Sequence, residues 1–111
     1  MADHNVEFSF SRAEQDTVDD LVNSGVLSRE KAELLVGLTR SALAVLVRGG
    51  VGDLGEKEQD AIADAVLRKI HEIHSAFRQW KTIIVTVSLH GRLIRLVFDP
   101  LKLQQPKPTI H

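Results

Sequence analysis

The first pattern in the chain is an alternation of apolar and polar residues near its N-terminus. Val6, Phe8 and Phe10 alternate with Glu7 and Ser9, and this period of two is typical of a half-buried strand. The pattern predicts a short N-terminal β-strand, which would pair either within the subunit or with the edge of another subunit.

Two predicted helices follow this strand. Ser11 precedes Glu14 by three residues, which is the spacing of a capping box, so the first helix should begin there and run to about Asn23. Ser28 is expected to cap a second helix over residues 29–48.

The second predicted helix ends in a run of consecutive apolar residues, 42–47. Such a run covers the full circumference of an α-helix, so this turn should be surrounded by protein. A small domain rarely encloses a helix completely, because much of it lies at the surface. The run therefore predicts a homo-oligomer with an interface at this end of the helix.

The longest regular pattern predicts a third helix from Glu56 to about Trp80. Its apolar residues recur at intervals of three or four, which is the spacing of one helical face. They are Ile62, Val66, Ile70, Ile73, Phe77 and Trp80.

Residues 82–99 predict a β-hairpin that turns at His90-Gly91. A loop at Gly91-Arg92 would shift the register by two and keep the same faces. With the first loop, one face is apolar and the other is mixed. The apolar pairs are Val87–Ile94, Val85–Leu96 and Ile83–Phe98, and the mixed pairs are Ser88–Leu93, Thr86–Arg95, Ile84–Val97 and Thr82–Asp99.

These elements predict an α+β fold: a short N-terminal strand, three helices, and a C-terminal β-hairpin packed on the helices. A length of 111 residues suits one domain, which we place at residues 1–99. Residues 100–111 contain several prolines and predict an extended tail, either loose or lying as an arm across a neighbouring subunit. A hairpin alone is marginal, so a third strand is expected beside it.

Composition and charge narrow the chemistry. The chain has no cysteine, which excludes disulfides, thiolate nucleophiles and Cys-ligated metals. It shows no signal-peptide pattern and no membrane-length apolar run, so we expect a cytoplasmic protein without a membrane partner. Residues 1–64 carry 13 acidic and 6 basic side chains, whereas residues 65–111 carry 2 acidic and 8 basic. This polarity favours an anion-binding face or contacts between oppositely charged parts of two subunits.

A glycine-rich segment at residues 50–55 matches the dinucleotide-binding pattern G-x-G-x-x-G. That pattern functions when a strand precedes it and bare helix amides face a pyrophosphate. Here a helix is predicted before it, and Asp53, Glu56 and Glu58 would repel phosphate. The segment therefore predicts a flexible connection between two helices.

Two histidines stand three residues apart on the third predicted helix, a spacing that can chelate a metal. By helical angle, His74 falls within the apolar stripe and His71 at its edge. We expect a core-edge histidine and a solvated one, with no metal or cofactor. A metal site completed by a second subunit across a symmetry axis is the third functional reading.

No arrangement of nucleophile, base and acid can be recognised from spacing. Ser41, Ser75 and Ser88 each occur without a nucleophile elbow. We therefore expect a protein that is not an enzyme.

Basic residues cluster around the hairpin and at the end of the third helix, with hydroxyl groups beside them. The candidate ligand-binding residues are Arg78, Lys81, Thr86, Ser88, His90, Arg92 and Arg95. Arg offers paired donors that suit phosphate or carboxylate. The alternative is a solvated surface with ion pairs to the acidic first half.

We expect a homo-oligomeric binding or regulatory protein that presents this basic surface to an anionic partner, foremost a nucleotide held or sequestered between subunits. Duplex nucleic acid is disfavoured as a partner, because proteins that bind it broadly are usually strongly positive. The net charge of this chain is −1. The second reading is a protein–protein adaptor or inhibitor that binds through its apolar helix surface or its tail.

Overall fold

A computed structural model describes residues 6–52 and 54–104 of the chain. It confirms the predicted α+β class, with an antiparallel hairpin packed on helices. The elements in these residues are α1 Arg12–Asn23, α2 Arg29–Arg48, α3 Glu56–Arg68, α4 Ile70–Arg78, β1 Ile83–Leu89, β2 Arg92–Phe98 and α5 Pro100–Gln104. Among the described residues, no helix combines the length and hydropathy needed to cross a membrane.

The first two helices begin where their capping signals predicted. The Ser11 amide donates to Glu14 Oε1 at 2.9 Å, and the Glu14 amide donates to Ser11 Oγ at 3.2 Å, which completes the capping box. Ser28 Oγ accepts from the Lys31 amide at 3.4 Å at the start of α2. These bonds satisfy amides that have no partner within the helix.

The N-terminal segment is not the β-strand that its alternation predicted. Residues 6–10 are neither helix nor strand and alternate between half-buried and exposed, and the sheet contains only β1 and β2 among the described residues. The Phe8 ring lies against Gly37 of α2, and Arg40 Nη1 donates to the Ser9 carbonyl at 2.7 Å. A helix therefore covers the segment, because the alternation specifies which side chains are buried but not which element buries them.

Arg40 fixes the N-terminal segment to α2 through several contacts. Its guanidinium stacks 5.8 Å from the Phe10 ring centroid and lies 3.0 Å from Glu14 Oε1. The hydrogen bond from the Ser11 amide and the nearby charge of Arg40 hold the pKa of Glu14 below its usual value. The Glu14 carboxylate thus takes part both in the capping box of α1 and in the contact between the N-terminal segment and Arg40 of α2.

The third predicted helix is two helices in the structure. α3 ends at Arg68, Lys69 takes a non-helical conformation (φ −107°, ψ 6°), and α4 begins at Ile70. Burial continues across this break at the spacing of one helical face, so the apolar pattern does not reveal it. α4 also ends two residues before the predicted limit, because Trp80 takes a positive φ of 55° that terminates the helix.

The glycine-rich segment connects α2 to α3, as predicted. Gly49 caps the end of α2, and Gly50 and Gly52 take positive φ values of 72° and 99°. The segment follows a helix and not a strand. Asp53, one of the acidic residues of the pattern, lies outside the described residues.

The hairpin confirms the predicted register. Val87 pairs with Ile94, and the loop is His90-Gly91, with φ values of 52° and 75°. Two residues with positive φ form a type I′ turn, whose twist matches that of the strands. The inner face contributes Val85, Val87, Leu89, Leu96 and Phe98 to the core, which residues of α1, α2, α3 and α4 complete.

The sequence predicted an extended tail from residue 100 onward, and this prediction is wrong for the first residues of the tail. Pro100–Gln104 form the short helix α5, in which the Leu101 amide donates to Asp99 Oδ1 at 3.0 Å. Asp before Pro is a favourable helix start, because Asp caps the free amides and Pro fits the first helical position. The remaining predicted tail, residues 105–111, lies outside the described residues.

The apolar run at the end of α2 is only partly enclosed by its own subunit. Ala42 and Leu46 are buried, but Val45 and Val47 are 55% and 63% exposed. The described chain therefore leaves apolar surface at the position where the sequence predicted an interface. Its coverage by a second subunit stays a prediction.

Candidate functional site

The strongest candidate site is the solvent-facing side of the hairpin, which we call the outer hairpin face. Side chains alternate along each strand, so every second residue points away from the helices. The face consists of Ile84, Thr86, Ser88, Leu93, Arg95 and Val97, all of them exposed. These six residues include one positive charge and no carboxylate. Asp99, which follows β2 at the end of the same predicted face, accepts a hydrogen bond from the Leu101 amide.

Apolar side chains surround the arginine of this face. Arg95 lies directly opposite Thr86, and the neighbouring pairs are Ile84–Val97 and Ser88–Leu93. Ile84, Val97 and Leu93 are 49%, 61% and 76% exposed. Same-face neighbours in a sheet lie within about 8 Å of one another. The result is an exposed patch that combines aliphatic groups with one guanidinium.

Three of the seven predicted site residues meet on this face. Thr86, Ser88 and Arg95 project from it. Arg92 is exposed but pairs with the buried Leu89, which places it at the end of the opposite face.

The other predicted residues lie at the two ends of the hairpin. His90 is in the loop, whereas Arg78 and Lys81 lie before β1. A strand of seven residues is about 20 Å long, so these ends are too far apart to contact one small ligand. The predicted basic surface is therefore divided into separate groups.

Sequence reasoning missed the apolar members of the site. Ile84, Leu93 and Val97 belong to the predicted mixed face, and their exposure completes the patch around Arg95. The signal was present in the cross-strand pairing of Ile84 with Val97, since two β-branched residues share a face that no helix covers.

Both edges of the hairpin have backbone groups without a partner in the described part of the chain. In a hairpin with a two-residue loop, the pair beside the loop exchanges both backbone hydrogen bonds, and such pairs alternate along the ladder. The amides and carbonyls of Leu93, Arg95 and Val97 consequently point away from β1. Those of Ile84, Thr86 and Ser88 point away from β2 in the same way. Outside the ladder, the described residues form no hydrogen bonds with these groups.

A pocket of about 360 Å³ lies between the N-terminal segment, α2 and α4. Leu34 and Phe77 contribute apolar surface, and three glutamates stand with His74 and Arg78 at its polar side. The lining residues are Val6, Glu7, Phe8, Glu30, Glu33, Leu34, His74, Phe77 and Arg78. Lys81 lines a separate, shallow groove along α4. Neither space includes a residue of the outer hairpin face.

The two histidines of α4 are joined to α2. His74, half-buried as predicted, places Nε2 3.0 Å from Glu30 Oε2. His71 is exposed, and its Nδ1 accepts from the Lys31 ammonium at 2.7 Å. Among the described residues no three His, Asp or Glu side chains form a metal-ligand group. The two rings serve as contacts between helices, and a metal site shared between subunits stays a prediction.

Comparison of this chain with protein-family models, with curated protein sequences and with solved structures finds no match.

Proposed function

We propose that this protein is a non-catalytic, homo-oligomeric binding protein with a regulatory role, whose outer hairpin face receives an anionic partner. One observation carries the proposal: Arg95 lies among three exposed apolar side chains on a face without carboxylates. Clustered apolar side chains at a surface mark interaction sites. Arg forms paired hydrogen bonds with carboxylate and phosphate groups, so an anionic partner is the best match.

The charged residues of the two strands are all positive and lie on β2. Residues 83–98 contain Arg92 and Arg95 and no Asp or Glu, and Lys81 precedes β1. The charges of the strands therefore favour an anionic partner over a cationic one at β2. This supports recognition by charge in addition to apolar contact.

The side chains of the face favour an acidic protein segment over a nucleotide. The apolar side chains around Arg95 are aliphatic, so they offer no aromatic ring on which a base could stack. The face lines neither the pocket between the N-terminal segment, α2 and α4 nor the groove along α4. A nucleotide would need a second subunit to close over it, whereas an extended peptide would not.

The test is a titration with anionic probes at low and moderate salt. Short fluorescent peptides rich in Glu and Val, the same peptides with Lys in place of Glu, and a panel of nucleotides are each added to the protein. We expect acidic peptides to bind and Arg95→Ala to weaken binding roughly tenfold, since a hydrogen bond to a charged group is lost. Arg92→Ala is the matched control, because it removes equal charge from the other face.

Two results would count against the proposal. Equal binding of the acidic and basic peptides would show that charge does not select the partner. Equal losses from the two arginine variants would show that hairpin charge acts without the outer face. Nucleotide binding that depends on Arg95 would keep the face as the site and change the class of partner.

The exposed end of α2 supports a second candidate, an adaptor or inhibitor that captures a protein through apolar contact. Val45 and Val47 are the observation that favours it. The same surface is our proposed subunit interface, so self-association and capture of a different protein are the two outcomes to separate. Val45→Asp should abolish either one and leave peptide binding at Arg95 unchanged.

A further inference from the structure

The edge of β2 that has no strand beside it among the described residues is formed by the residues that the proposed function already uses. Leu93, Arg95 and Val97 direct their backbone amides and carbonyls away from β1, and their side chains form half of the outer hairpin face. A strand added along β2 would be hydrogen-bonded by these residues and also recognised by their side chains. Added strands obtain affinity from the main chain and specificity from alternate side chains in this way.

Charge distinguishes β2 from the other edge of the hairpin. β1 contains no charged residue, and α3 packs against it. α3 carries four carboxylates and two cations, and one of these carboxylates, Asp64, is paired with Arg68 at 2.9 Å. β2 instead carries Arg92 and Arg95. An acidic strand is therefore attracted to the positive β2, whereas β1 offers it no charge of its own.

We propose that the anionic partner is an acidic, extended protein segment that adds to the outer edge of β2 as a third strand. This inference rests on the proposed function and names its partner. The residues opposite Leu93 and Val97 should be apolar, and the residue opposite Arg95 should be Asp or Glu. The recognised pattern is apolar-x-acidic-x-apolar, in a strand that runs antiparallel to β2, so that the acidic residue and Arg95 exchange both backbone hydrogen bonds.

A second copy of this chain is a poor occupant of the same edge. Antiparallel pairing of β2 with its own copy around the central residue places Arg95 opposite the partner's Arg95. Like charges directly opposite each other destabilise a sheet, and charged residues on edge strands protect proteins against such pairing. The arginine that attracts an acidic strand therefore also disfavours self-pairing.

The experiment uses the full chain and three blocked peptides. The first is Thr-Val-Thr-Glu-Thr-Val-Thr, which has the recognised pattern. The second, Thr-Val-Glu-Thr-Thr-Val-Thr, has the same composition but turns its Glu to the other face of the strand. The third is the first peptide with a methyl group on the Glu amide nitrogen, which removes one backbone donor and keeps every side chain. Binding is followed by NMR titration, and amide hydrogen exchange is measured with and without the first peptide.

We expect the first peptide to bind and each of the other two to bind roughly tenfold more weakly. Bound peptide should slow the exchange of the Leu93, Arg95 and Val97 amides and leave those of Ile84, Thr86 and Ser88 unchanged. These amides are read in the wild-type protein, so the result does not depend on the folding of a variant.

The outcomes separate this inference from the proposed function. Protection on β1, equal binding of the methylated peptide, or a nucleotide as the only Arg95-dependent ligand would overturn strand addition at β2 and leave the outer hairpin face as an anion site. If no anionic probe binds in a manner that depends on Arg95, the proposed function fails and the inference fails with it.

Discussion

The contact between Phe8 and Gly37 predicts a substitution whose effect changes sign with its background. A β-carbon added at Gly37 would lie closer than 3.0 Å to three atoms of the Phe8 ring, and these are its three nearest atoms. Ala is otherwise favoured over Gly in a helix by about 1 kcal/mol. Gly37→Ala therefore combines a helix gain with a clash that one side chain causes.

The magnitudes give opposite signs in the two backgrounds. In the wild-type protein the clash costs about 1–3 kcal/mol if the ring stays and about 1–2 kcal/mol of lost burial if the half-buried ring leaves. After subtraction of the helix gain, Gly37→Ala should lower the free energy of unfolding by about 1 kcal/mol. In the Phe8→Ala background the clash is absent, so the same change should raise it by about 1 kcal/mol.

Urea unfolding of the four proteins, followed by circular dichroism, measures this coupling. We expect a coupling free energy of about 2 kcal/mol between the two positions. A coupling below about 0.5 kcal/mol, which is within the error of additivity, would show that the N-terminal segment does not pack on α2 and that Phe8 has another environment.

Three further predictions concern the cap, the turn and the exposed end of α2. Because folding lowers the pKa of Glu14, its ionised form stabilises the protein above the unfolded pKa, and that stability is lost as the pH falls through the folded value. Glu14→Gln should therefore cost about 1 kcal/mol at neutral pH and progressively less in acid, as measured by urea unfolding at several pH values. Gly91→Ala should lower stability by about 1–2 kcal/mol in thermal unfolding, since Ala is strained at a φ of 75°; no loss would argue against the type I′ loop. Val45→Asp should reduce self-association in sedimentation experiments while the subunit stays folded. Leu46→Asp, at a buried position, should unfold the subunit. An unchanged sedimentation profile for Val45→Asp would exclude this interface.

The sequence predicted those parts of the fold that depend on near neighbours. The hairpin register follows from a two-residue loop at His90-Gly91 together with alternation on both sides, and a slip by one residue would expose the core face. The start of α1 follows from Ser11 and Glu14, which bond to each other's backbone across three residues. In both cases the interacting groups are close in the chain.

Long-range contacts account for the errors at the N-terminus and in the third helix. The hollow that receives Phe8 is formed by Gly37, and nothing in the alternation of residues 6–10 indicates it. The break at Lys69 does not interrupt the spacing of buried residues, so it left no trace in the pattern. The error at α5 has a local cause instead. Pro100 was interpreted only as the end of a strand, although Asp followed by Pro is also a favourable helix start.

The candidate site could be predicted only as far as the hairpin register reached. The register assigned Thr86, Ser88 and Arg95 to one face, and the structure places them there. Residues gathered by charge alone, such as Arg78 and Arg92, fell at different ends or faces of the hairpin. Charge in a sequence specifies an amount of attraction, whereas a site also requires that the charges share a surface.

A two-stranded sheet has exposed edges that could pair with unrelated strands, and charged residues reduce such pairing. An exposed edge offers unpaired backbone groups to any other strand, and native proteins guard such edges with charge. Here the uncharged β1 lies beside acidic α3, whereas β2 has no carboxylate and carries its own arginines. Strands that resemble β2 are repelled by Arg95, and strands that carry the opposite charge are not. An edge strand that carries one sign of charge is therefore selective for strands of the other sign. For this reason we assign the positively charged edge of β2, and not the uncharged edge of β1, as the place where an acidic partner binds.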